Sequence, residues 1–115
     1  MKSYTDLEQS KKLMEFLSLE SADMCYLSEE SLVPKVVYNG MAFFNSEEER
    51  LINIIYCWSV AALMNVLDRG ALFITPQGWA CQSYINFKAI TSDHHSNPID
   101  ACYEIILRLH ELKML

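Results

Sequence analysis

Apolar residues recur at helical spacing near both ends of the chain and once in its middle. Leu7, Met14 and Leu17 fall on one face, with Leu13 and Phe16 beside them, while Lys11, Lys12 and Glu15 face water. Thr5 and Glu8 stand at capping-box spacing, so a helix is predicted from there to Leu17 or Ser18. Val60, Leu63, Met64 and Leu67 follow the i, i+3, i+4, i+7 stripe of a second helix. Ser59 is its expected cap, and Gly70 its expected left-handed end. The last helix is the most legible. Asn97 caps it, Pro98 takes the first position, and Asp100 complements the dipole. Ile99, Cys102, Ile105, Ile106, Leu109 and Leu112 form its apolar stripe, with Glu104 and Arg108 as an i,i+4 pair on the other side.

Between these helices the pattern turns to strands. Met24 to Leu27 is a short apolar run that reads as a strand or a turn of helix. Val33 to Tyr38, with Pro34 near its start, suits an edge strand. Asn39-Gly40 is a turn signal, and Met41 to Phe44 is the expected return. Leu51 to Tyr56 reads either way. It can continue a helix begun at the Ser46/Glu49 capping box, or it can be a buried strand. Ala71–Thr75, Trp79–Ile85 and Phe87–Thr91 form a meander, with Pro76-Gln77-Gly78 as its first turn. Trp79, Cys81 and Ile85 share one face of it, with Ser83 as the polar exception. The expected class is α+β: a small antiparallel sheet packed against about three helices, the terminal helices flanking it in the manner of an α-β-α sandwich. Residues 1–115 are expected to form a single domain, since three Gly and three Pro leave little material for a linker.

Charge narrows the partners. A net charge of −6 repels phosphate backbones and anionic membranes, so no nucleic acid and no membrane are expected. Leu51 to Leu67 runs without a charge, approaching the roughly 18 residues of a spanning helix. Asn53, Ser59 and Asn65 interrupt it, and a buried core segment is the better reading. The cysteines Cys25, Cys57, Cys81 and Cys102 form no Cys-x-x-Cys motif and sit among apolar neighbours, as reduced, buried thiols do. The opening residues Met1 to Asp6 have no apolar signal core, so the expected compartment is the cytoplasm.

The candidate chemistry is sparse. Asp93-His94-His95 is the best metal-ligating cluster, with His110 a helix length away. A Cys–His nucleophile pair would need an exposed, electropositive thiol, which these apolar settings do not offer. Glu47, Glu48 and Glu49 are explained by a helix start. Gly40, Gly70 and Gly78 are isolated, so no phosphate-cradling loop and no cofactor are expected. Trp58, Trp79, Phe43 and Phe44 are the aromatic candidates for an interface. The apolar excess around Leu51–Leu67 suits a homodimer.

Three segments carry a resemblance. Asp6-Leu7-Glu8-Gln9-Ser10-Lys11-Lys12-Leu13 running on to Met24, Cys57 to Leu63, and Asn97-Pro98-Ile99-Asp100-Ala101-Cys102 running to Leu112 together resemble small uncharacterised proteins of bacteriophages, prophages and other mobile elements. More loosely, the chain is similar to small phage proteins described as an α-β-α sandwich. The resemblance implies a genetic setting and a fold, but no reaction and no catalytic residues. The expectation is a non-enzymatic accessory protein that binds a protein partner or itself. One alternative is a small metal-binding protein or enzyme using Asp93, His94 and His95. Another is an acidic mimic that blocks a host nucleic-acid-binding protein.

Overall fold

The computed structural model describes residues 2–27, 33–38, 41–42, 54–67 and 69–115. Its contacts divide the chain into two compact units, one of Thr5–Ser59 and one of Val60–Leu115 with Met1–Tyr4. Helices and antiparallel sheets make the fold α+β, as the pattern predicts.

The Thr5–Ser59 unit begins with helix α1, Leu7–Met14. Its cap is Asp6 with Gln9 in a reciprocal capping box, not Thr5 with Glu8. The shift has a tertiary cause. Thr5 is fully buried, and its hydroxyl contacts Ser10 Oγ at 2.8 Å and accepts the Trp58 N–H at 3.0 Å. A hydroxyl held this way is not free to cap, and the next polar residue does so. The helix also ends earlier than predicted, and only Ser10 and Leu13 are buried on it.

A 3₁₀ turn at Leu19–Ser21 leads to β1, Met24–Tyr26, so that ambiguous run is a strand. Strands β2 (Lys35–Tyr38), β3 (Met41–Ala42) and β4 (Ile55–Cys57) complete a sheet ordered β3-β2-β1-β4, all neighbours antiparallel. β2 lies between β1 and β3 and is not the edge its proline suggested; Pro34 precedes the strand and takes no ladder donor away. Ile55 and Tyr56 are strand. The Asn39-Gly40 turn, the Ser46 capping box, Phe43, Phe44 and Leu51–Asn53 lie outside the described residues.

In the second unit, α2 spans Val60–Val66. The left-handed residue after it is Arg69, at φ 55°, and Gly70 opens the next strand instead. The meander is β5 (Gly70–Thr75), β6 (Gly78–Ile85) and β7 (Lys88–Thr91), with β6 in the middle. Helix α3, Pro98–Glu111, starts as predicted: Asn97 accepts the Asp100 N–H, and Pro98 sits in the first turn. Ile99, Cys102, Ile105, Ile106 and Leu109 are all buried. Leu112 is not, because the helix ends before it and Lys113 turns the chain at φ 60°.

Cross-strand pairs share a sheet face, so Leu72, Ile74, Cys81, Ser83 and Ile90 lie on one side and Ala71, Phe73, Gln82, Tyr84 and Ala89 on the other. α3 packs on β6, and the Cys81 thiol hydrogen-bonds Cys102 of that helix, which marks the covered face. The opposite face keeps Phe73 37% and Tyr84 42% exposed. Among the described residues no helix is long and apolar enough to cross a membrane.

Candidate functional site

The segment after β7 continues beside β6. Ser92 N donates to Cys81 O at 2.8 Å, and two residues later Trp79 and His95 exchange backbone bonds of 2.7 and 2.8 Å. Between these pairs one β6 residue, Ala80, faces two, Asp93 and His94, which makes a β-bulge. Gly78 permits the close approach. A Cβ there would lie 2.5 Å from the His95 carbonyl oxygen, and its φ of 128° already suits glycine.

The bulge is fastened to α3 by one carboxylate. Glu104 accepts the Asp93 N–H at 3.1 Å on both oxygens, meets His95 Nε2 at 2.8 Å, and pairs with Arg108 Nη2 at 2.8 Å. Arg108 Nη1 donates onward to Thr91 O at 3.0 Å. The i,i+4 pair read from the sequence is therefore present, and its main work is done across the turn to the bulge.

The residues of the metal reading are placed separately around this bulge. His94 is exposed, the Asp93 side chain is 84% exposed and reaches only to 4.0 Å of Arg108, and His110 sits near the chain end against Leu115 O. Of the three predicted ligands only His95 meets another potential ligand, Glu104, whose oxygens already serve Asp93 and Arg108. Among the described residues no three His, Cys, Asp or Glu side chains converge as an ion would require. The thiols are no better placed for catalysis: all four cysteines are buried and free. Burial pushes the Cys57 thiol up to about 12, with Cys25 and Asp23 adding to it, and raises Cys25 too. The bond between Cys81 and Cys102 holds Cys81 down and Cys102 up, so neither is an exposed thiolate nucleophile.

The predicted aromatic anchors fare unequally. Trp58 has no exposed surface, and its Nε1–H donates to Ser21 Oγ at 3.0 Å, so it is a core residue and offers nothing to a partner. Trp79 is half-buried beside the bulge.

Among the described residues the most exposed large apolar side chain is Phe87, expected as the first residue of a strand and found at the β6–β7 turn. It is 91% exposed. Its φ is 64° and that of Asn86 is 51°, the left-handed region in both cases. Asn tolerates that region, whereas a bulky aromatic there is uncommon and carries strain of order 1 kcal/mol or more. Phe87, Asn86, Tyr84, Ile85 and Arg69 line a cavity of about 260 Å³. The strand pattern of Phe87–Thr91 gave no sign of this exposure.

No family model matches the chain, and comparison with the curated proteins and with the solved structures returns no match.

Proposed function

We propose that this chain is a non-enzymatic interaction protein of a phage or other mobile element, working in the cytoplasm by binding a protein. The observation that carries the reading is Phe87. An aromatic ring held 91% exposed in a left-handed turn loses on solvation and on backbone conformation at once. Burial in a partner removes the first penalty. Its neighbours Tyr84 and Arg69 are residue types enriched among binding hot spots, and they line the same depression. Tyr84 also joins Phe73 on the uncovered sheet face. The phage or mobile-element origin rests on the three resembling segments alone.

A photoreactive benzoyl-phenylalanine at position 87, activated in cells making the protein, tests the reading. The expected result is a discrete cross-linked protein adduct that is lost when Tyr84→Ala and Arg69→Ala are combined. Adducts no stronger than those from the exposed helix position 111 would overturn it.

A further inference from the structure

The two edges of the meander are built differently. β7 carries Lys88, runs into the bulge at Asp93-His94, and has Thr91 O occupied by Arg108. A charge, a bulge and a covering side chain are devices that keep an edge from pairing. β5 has none of them. Its six residues, Gly-Ala-Leu-Phe-Ile-Thr, contain no charge and no proline, and no strand lies on its outer side among the described residues. It is an open template for one more strand.

Its pattern also says which strand fits. We propose that two copies of the chain pair through β5, antiparallel about a twofold axis at Phe73, joining two meanders into one continuous sheet. This goes beyond the reading above by naming one partner, a second copy, and the edge it uses. A twofold perpendicular to the sheet keeps each residue on its own face, so the register must place a residue opposite itself. Centred on Phe73, it sets Leu72 against the partner's Ile74 and Ala71 against the partner's Thr75. Every pair in that register is uncharged, and the Leu–Ile pairs lie on the face that each protomer already uses for its core. The register covers Ile74, left 65% exposed on that face, and brings Phe73, 37% exposed, against its own copy. A short strand pair lies below the ~1,200 Å² of a standard interface, so the dimer is concentration-dependent.

Charge gives the pairing a signature. Each copy carries −6, and the paired strands carry nothing, so salt screens a repulsion and breaks no ion pair. Self-association should tighten several-fold as salt rises from about 0.05 to about 0.5 M. A complex with a basic protein would weaken over the same range.

Sedimentation across concentration and salt tests the proposal. The full chain should move from monomer to dimer as concentration rises, more readily in high salt. Phe73→Lys, which sets two like charges across the axis, and Ile74→Lys, at a more exposed position, should each weaken association at least about tenfold. Phe73→Cys under glutathione disulfide should form a covalent dimer, because directly opposed residues lie about 4.5–5.5 Å apart, within disulfide reach. Gln77→Cys in the neighbouring turn should not. A monomer at all concentrations, or a dimer indifferent to both lysine variants, would overturn the pairing. A cross-link from position 87 to a different protein would leave the interaction reading standing while β5 pairing failed.

Discussion

The two units place their buried hydrogen bonds differently. In the Thr5–Ser59 unit hydrogen bonds knit an apolar centre around the buried Thr5. Thr5 exchanges two bonds with Trp58, N–H to O at 2.9 Å and hydroxyl from N–H at 3.0 Å. Tyr26 donates to Thr5 O at 3.0 Å, and Asp23 takes both the N–H and the hydroxyl of Ser59. In the Val60–Leu115 unit the centre is aliphatic, Ile99, Ile105, Ile106 and Leu109 with Cys102 donating to Met64 Sδ at 3.7 Å, and the buried Ser83, Ser92 and Asn97 stand apart from one another on the sheet, at its edge and at the cap of α3. A knitted core specifies one arrangement because an unmade bond in a dry site is expensive, whereas an oily core rewards any good fill. The described strands and helix of the first unit are short, and directional bonds add order to them.

The largest effects should come from the bulk of each core. Trp58→Ala and Ile105→Ala should lose about 3–5 and 2–5 kcal/mol in urea unfolding, the tryptophan change more because it removes the larger side chain and its bond to Ser21. Next comes Thr5→Val, which keeps the shape and removes the hydroxyl. It should lose about 1–3 kcal/mol, because the buried Trp58 N–H loses its acceptor. Val at Thr5 tolerated without loss would break the distinction between the units.

Alkaline pH separates the units more gently. Unfolded thiols ionise near 9.0, whereas folded Cys57 keeps its proton to about 12. The folded state therefore holds more protons within that window, and stability falls as pH rises through it. Both thiols of the Thr5–Ser59 unit are raised, whereas in the other unit Cys102 is raised and Cys81 lowered. Trp58 fluorescence in a Trp79→Phe variant should show less urea needed for unfolding as pH rises from about 9 to about 12. The smallest change is Glu104→Gln, on the order of 1 kcal/mol, since its partners are partly exposed. It should loosen the bulge, read as faster amide exchange at Asp93 and His95.

The sequence by itself determined what local chemistry decides. The Asn97-Pro98 start and apolar stripe specify α3, and turn residues with alternating side chains specify the meander, because caps, turns and periodicity act within a few residues. It also held the Glu104–Arg108 pair, four residues apart on one helix. The rest depends on residues far apart in the chain. Thr5 yields its cap to Asp6 because Trp58 arrives beside it. His95 meets Glu104 because the bulge brings it beside α3. Trp58 sinks into the core while Phe87 stands in water, although both are large aromatics. Periodicity tells which residues prefer burial; only the tertiary structure decides which are covered, because covering takes a second surface that no single segment contains.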